Sequence, residues 1–103
     1  MKHNLTYQED YLIAQDFIEV TVLAKKDITL SEYANNMARH FPDIPVQSIK
    51  MKAQNIKGCL VSKGIPCAAI GATLEHSSAQ CRRAVDEALE HYKRNLARMG
   101  IVL

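Results

Sequence analysis

Three pairs of residues in this chain have the spacing of a helix N-terminal capping box, in which a hydroxyl residue precedes Glu or Gln by three positions. The pairs are Thr6 with Glu9, Thr29 with Glu32, and Ser77 with Gln80. Apolar residues follow each pair at intervals of three or four positions, the period of an amphipathic helix. The chain therefore carries three local signals for helix starts, and they favour an all-α fold.

The apolar periodicity predicts helices near residues 7–24, 30–40, 45–57 and 78–98. Pro45 suits the first turn of the third helix, because its missing amide would have no partner there. Gly58 is expected to end that helix, and residues 58–66 are predicted as a loop or a short extended piece. A weak helix near 67–74 would be the fifth.

A chain of 103 residues fits one domain, and 48% hydrophobic residues are enough to give it a core. We therefore expect a single all-α domain over residues 1–103, a small bundle of four to five helices. Within it, residues 6–57 form an N-terminal three-helix unit, and residues 66–99 form a C-terminal helical hairpin or long helix.

The net charge of +2 is distributed unevenly along the chain. Residues 1–24 carry −3, residues 25–58 carry +3, and residues 59–103 carry +2. A surface for an anionic partner is therefore expected after residue 24. The chain shows no signal-peptide pattern and no membrane-length apolar run, so the expected location is the cytoplasm, with no membrane partner.

The segment TLSEYANNMARHFPDIPVQSIKMKAQNIKG resembles the last two helices of a Myb-like or SANT-like helix-turn-helix. Ala34 matches the family's mid-helix alanine, Ile44 and Pro45 open the equivalent of the recognition helix, and SIKMKAQNI is similar to its basic, amide-rich body. The resemblance covers residues 6–57. It implies a DNA-binding unit with a recognition helix near 45–57.

A second stretch, AIGATLEHSSAQCRRAVDEALEHYKRNL, is similar to the C-terminal helix-turn-helix of sigma factors. Gly71 follows Ile70 as a small residue follows an aliphatic one in that family, and apolar positions recur at Leu74, Cys81 and Ala84. The resemblance, over residues 68–96, implies that the bundle contains one or two helix-turn-helix units.

A helix in the major groove needs short polar and basic side chains on its outer face, because they contact base edges and neutralise phosphate. The alternative for each of these residues is a solvated helix face. The candidate DNA-binding residues are Gln47, Ser48, Lys50, Lys52, Gln54, Asn55, Lys57, Arg82 and Arg83.

The remaining candidate chemistry is weak. Cys59, Cys67, His76 and Cys81 are separated by irregular gaps that match no common zinc pattern. The three cysteines are an odd number in a chain without an export signal, so they are predicted to be reduced, mostly buried thiols. The sequence contains no glycine-rich phosphate-binding loop. Its histidines have no cysteine or serine partner in a recognisable nucleophile motif. We therefore predict no catalytic residues, metal or cofactor, and no enzyme.

These observations leave two functional hypotheses. The first is a small helix-turn-helix protein that binds double-stranded DNA and regulates transcription or a mobile element or phage. It would act as a homodimer, because one short reading helix makes few contacts. The second is a protein-protein interaction module, such as a phage-type inhibitor or adaptor, built on the same helical scaffold.

Overall fold

The computed structural model describes residues 5–68 and 78–103, and within them every regular element is helical. The helices are α1 (Tyr7–Ile18), α2 (Leu30–Ala38), α3 (Val46–Ser62), α4 (Ala79–His91) and α5 (Lys93–Arg98). A π-helical turn, Glu19–Leu23, continues α1. The all-α prediction is confirmed. Most of the weak helix predicted near 67–74 lies outside the described residues.

The predicted helix starts depend on local hydrogen bonds, and α1 and α2 begin where the sequence predicted. At α1 the capping box is complete: the Glu9 amide donates to the Thr6 hydroxyl at 3.1 Å, and the Thr6 amide donates to the Glu9 carboxylate at 2.8 Å. At α2 the Glu32 amide donates to the Thr29 hydroxyl at 3.1 Å. The third start differs, because the residue that caps α4 is Ser78, whose hydroxyl accepts from the Cys81 amide at 3.1 Å.

The first helix does not stay α-helical to residue 24 as predicted. The buried Thr21 hydroxyl donates to the Phe17 carbonyl at 2.7 Å, a bond to the preceding turn that disturbs the regular ladder. The chain then leaves the π-helical turn through Lys25, whose φ of 51° lies in the left-handed region. The Thr21 carbonyl accepts from the Ala68 amide at 2.8 Å, which holds the segment after α3 against this turn.

The third helix is longer than predicted, because it passes through Gly58 and ends at Ser62. Cys59 and Leu60 are buried, so burial of these side chains outweighs the weak helix propensity of Gly58. The end is a Schellman motif at Gly64, where φ is 71°. In it the Gly64 amide donates to the Val61 carbonyl, and the Ile65 amide donates to the Leu60 carbonyl, both at 3.0 Å.

The core lies mainly between α1 and α4, while α2 packs on α3. The apolar stripe predicted for the C-terminal helix is therefore buried against α1 within one chain. The predicted helix over 78–98 is interrupted at Tyr92, which separates α4 from α5. The buried residues of α1 and α4 are Asp10, Ile13, Ala14, Phe17, Ile18, Cys81, Ala84, Val85, Ala88 and Leu89.

The Schellman motif makes Gly64 the residue that stops α3. We expect Gly64→Ala to lower the free energy of unfolding by about 1 kcal/mol, because a Cβ is disfavoured in the left-handed region. Gly64→Asn should cost less, since asparagine tolerates this conformation. Urea denaturation of the variants measures both effects.

Lys25 provides the matched control, because it is a non-glycine residue in the same backbone region. Lys25→Gly should shift the urea midpoint upward, the opposite direction to Gly64→Ala. An unchanged midpoint for Gly64→Ala would mean that α3 ends by another mechanism.

Candidate nucleic-acid interface

The longest helix, α3, is the described element whose composition best fits an anionic partner. Its 17 residues include Lys50, Lys52 and Lys57 and no Asp or Glu. The neighbouring helices differ, since α1 contains Glu9, Asp10 and Asp16, and α4 contains Asp86, Glu87 and Glu90. α3 contacts α1, α2 and α4, so only part of its circumference faces solvent.

The solvent-facing side of the first half of α3 consists of Gln47, Lys50, Met51 and Gln54, which we call the outward face. Their positions differ by three, four and seven residues, so they lie on one side of the helix. Gln47 and Met51 are exposed, and Lys50 and Gln54 are partly exposed. The opposite side is the core stripe of α3, in which Ile49, Ala53, Ile56 and Leu60 are fully buried.

The beginning of α3 also differs chemically from the other long helices. The residue at its N-terminal cap is Pro45, which has no side chain that can accept a hydrogen bond from the first amides. α1, α2 and α4 are capped by the hydroxyls of Thr6, Thr29 and Ser78. The first turn of α3 has no acidic residue, although Asp43 lies two residues before the cap.

Lys52 lies on another side of α3 and points into the molecule. Its ammonium group is 3.2 Å from the Asp10 Oδ1 atom, with side-chain exposures of 14% for Lys52 and 1% for Asp10. The Asp10 Oδ2 atom accepts a hydrogen bond of 3.0 Å from the Gln80 side-chain amide. Gln80 also donates to the Leu5 carbonyl at 2.9 Å. Asp10 is buried, Lys52 is partly buried and Gln80 is exposed; we call these three residues the buried network after their central carboxylate.

Asn55 and Lys57 are exposed to the same intermediate degree as Lys50 and Gln54; Lys57 lies on the Lys50 side of α3, and Asn55 lies on the side of Lys52. The Asn55 side-chain oxygen is buried and has no hydrogen-bond partner in the part of the chain that the structure describes. The Lys57 charge acts on Cys67, where it opposes the effect of burial, which raises the pKa of the thiol. Ser48 is partly exposed near the start of the helix.

Arg82 and Arg83 lie on α4, where the surface has mixed charge. Both are exposed, but Arg83 bonds the Glu87 carboxylate at 2.9 Å and lies over the Tyr7 ring, 5.0 Å from its centroid. Asp86 and Glu90 are exposed on the same helix. A phosphate approaching this surface would therefore meet carboxylates as well as guanidinium groups.

The cysteines take part in packing. Cys59 on α3 and Cys81 on α4 are buried, as predicted, and Cys67 is partly buried. A hydrogen bond with Cys59, together with burial, raises the pKa of Cys81 far above its ordinary value. Thiols in this state are poor nucleophiles, because the thiolate is the reactive form. His76, the fourth member of the zinc set considered from sequence, lies outside the described residues.

A groove of about 270 Å³ lies at the other end of α3, beside α4 and the C-terminal residues. It is lined by Lys63, Ile65, Asp86, Leu89, Glu90, Val102 and Leu103. Lys63 and Asp86 form an ion pair of 2.7 Å within this lining. Val102 is 91% exposed and Leu103 is 50% exposed, so the groove has an apolar rim open to solvent.

The inward position of Lys52 was missed from sequence, although the chain contains a signal for it. Asp10 lies three, four and seven residues before Ile13, Ala14 and Phe17, so it shares their buried arc on α1. A carboxylate on such an arc requires a cation or hydrogen-bond donors inside the protein. The identity of the partner, Lys52, depends on tertiary packing.

Comparison of the chain with protein-family models, curated proteins and solved structures gives no match. The resemblances to Myb-like and sigma-factor units stay predictions. The connection between α2 and α3, residues 39–45, is longer than the three or four residues of a compact helix-turn-helix. No helix within residues 5–68 and 78–103 is long and apolar enough to cross a membrane.

Lys50 and Lys52 offer a matched pair for measuring the buried network. Lys52→Met leaves the Asp10 carboxylate buried without its cation, so we expect a loss of about 3–5 kcal/mol in the free energy of unfolding. Lys50→Met, on the outward face, should change it by less than about 0.5 kcal/mol. Thermal and urea denaturation provide the measurement. Equal effects of the two substitutions would contradict the inward placement of Lys52.

Proposed function

We propose that this protein binds double-stranded DNA through the outward face of α3, as a small helix-turn-helix regulator of transcription or of a mobile element in the cytoplasm. The observation that carries the proposal is that α3 has no carboxylate and turns two amide side chains and one lysine toward solvent. Amides and lysines on one helix face are the groups that major-groove recognition uses.

The residues of the outward face have different roles in this proposal. Lys50 supplies charge to a phosphate, and Gln47 and Gln54 supply amides that form paired hydrogen bonds with adenine. Met51 offers an apolar contact to a thymine methyl group. The uncapped start of α3 favours an approach with its N-terminal turn nearest the DNA, as in recognition helices generally.

The other candidate residues contribute less to this interface. Lys52 is held in the buried network and is not available to phosphate. Ser48 and Asn55 lie on the side of α3 that carries Lys52, while Lys57 lies beyond Lys50 along the helix. Arg82 and Arg83 form a separate surface on α4, where neighbouring acidic residues oppose phosphate.

Fluorescence anisotropy with duplex DNA between about 50 mM and 200 mM salt tests the proposal. We expect wild-type protein to bind with an affinity that falls as salt rises. Lys50→Ala should weaken binding to all sequences and flatten the slope of log affinity against log salt by about 1. Gln47→Ala and Gln54→Ala should each cost about 1–3 kcal/mol against a duplex selected for tight binding, and little against random duplex.

Lys93→Ala is the matched control, because Lys93 lies on α5 with its side chain 63% exposed, away from the outward face and outside the lining of the groove. It should leave both the affinity and the salt slope unchanged. Absence of wild-type binding at micromolar concentration and low salt would overturn the DNA proposal. An equal loss for Lys93→Ala and Lys50→Ala would contradict the assignment of the interface to α3.

We also propose that the protein acts as a homodimer, with the groove beside Val102 and Leu103 as the contact between copies. The outward face covers about two helical turns, and paired half-sites are the usual way to increase such a small contact. The exposed apolar rim of the groove supports this choice. The apolar side of α4 is already buried against α1 and so is not available for this contact.

Light scattering on a size-exclusion column tests the dimer at tens of micromolar protein. We expect twice the chain mass for the wild type, and the monomer mass for the double variant Val102→Asp/Leu103→Asp. Both residues are exposed, so the substitutions should leave the helical circular dichroism signal intact. A monomeric wild type would remove the dimer from the proposal without affecting the role of α3.

A protein partner is the second candidate function, and one observation favours it. Met51 is 45% exposed and Val61 is 52% exposed, and both lie on the solvent side of α3. Apolar side chains on one face suit an interaction with another protein as well as contact with DNA bases. If the wild type fails to bind duplex, this face becomes the site to examine for a protein partner.

A further inference from the structure

The buried network joins three helices through one carboxylate. Asp10 belongs to α1, Lys52 to α3 and Gln80 to α4. One carboxylate oxygen lies 3.2 Å from the Lys52 ammonium group, and the other accepts from Gln80 at 3.0 Å. Both protons of the Gln80 amide group are used, since it also donates to the Leu5 carbonyl at 2.9 Å. The network therefore specifies one arrangement of α1, α3 and α4.

The apolar core constrains α3 less strictly. Its core stripe consists of aliphatic residues and one alanine, and apolar burial is non-directional, so it favours a buried side of the helix without selecting a specific partner for each residue. The Asp10–Lys52 ion pair is different, because moving Lys52 toward solvent leaves the Asp10 carboxylate, which is 1% exposed, buried without its cation. Buried ion pairs add little net stability, but in some proteins they select one arrangement among several.

We infer that Asp10 and Lys52 are positioning residues, whose ion pair sets the rotation of α3 about its own axis and so decides which residues form the outward face. Successive residues of an α-helix are separated by about 100°, so Lys50 and Lys52 point about 160° apart. A rotation that moved Lys52 toward solvent would carry Lys50 toward the core. Keeping Lys52 inside therefore keeps Lys50, Gln47 and Gln54 outside.

The effect of the pair on DNA affinity rests on the proposed function, but its effect on the order of α3 does not. The test uses the double variant Asp10→Asn/Lys52→Met in the full chain. The substituted amide oxygen still accepts from Gln80, and methionine occupies a volume similar to that of the lysine stem. Because no buried charge is left unpaired, the melting temperature should be within about 5 °C of the wild type.

Nuclear magnetic resonance then measures the order of α3 directly. In the double variant we expect the amide signals of α3 to broaden or split, while those at the interface of α1 with α4 stay sharp. Lys52→Arg is the matched control, because it retains the cation and should keep the signals of α3 single and sharp. The single variant Lys52→Met should lower the melting temperature by at least about 10 °C, and adding Asp10→Asn should restore it.

The DNA measurement adds an independent readout. For the double variant, the ratio of affinities for selected and scrambled duplexes should fall at least about tenfold, with an unchanged salt slope, since Lys52 contacts no phosphate. If the wild type does not bind DNA, the proposed function fails, and the resonance spectra alone decide on the positioning role.

Three results would overturn the inference. Signals of α3 as sharp in the double variant as in the wild type would mean that the core stripe alone fixes the helix. A double variant that fails to fold would mean that the pair is needed for the fold itself. A flatter salt slope would mean that Lys52 contacts phosphate.

Discussion

The buried carboxylate of Asp10 constrains how α1, α3 and α4 can pack, because it needs partners from the other two helices. It is 1% exposed on the buried side of α1, and a charge in that position is stable only with a cation and hydrogen-bond donors beside it. The cation comes from Lys52 on α3 and the donor from Gln80 on α4. Packing α1 therefore requires both other helices to lie where these side chains reach.

This requirement also affects which charged side chains of α3 face solvent. Two lysines two residues apart on α3 have different environments, since Lys52 neutralises a buried carboxylate and Lys50 faces solvent. The charge available to a partner is therefore smaller than the lysine count of α3. Arg83 is also engaged, by Glu87 and the Tyr7 ring. A compact outward face of amides, one lysine and one methionine remains.

The starts and ends of the helices follow different physical rules. Capping by Thr6 and Thr29 involves atoms three residues apart, so it was recognisable without knowing the fold. The end of α3 could not be recognised in this way. Because Cys59 and Leu60 are buried, the helix continues past Gly58 and ends before the left-handed turn at Gly64. At α4 the capping residue is Ser78, whereas the sequence predicted Ser77, and the Gln80 side chain donates to Asp10 in the buried network.

The sequence by itself determined the helical class, the starts of α1 and α2, and the apolar stripe of α4, since each depends on residues within a turn or two of one another. It also identified α3 as the basic, amide-rich helix. The spacing of its apolar residues also indicated which side of α3 meets solvent, but tertiary structure decided that Lys52, beside that side, is held inward by Asp10. The physical reason is that the partner of Lys52 lies 42 positions earlier in the chain, beyond the range of any local pattern.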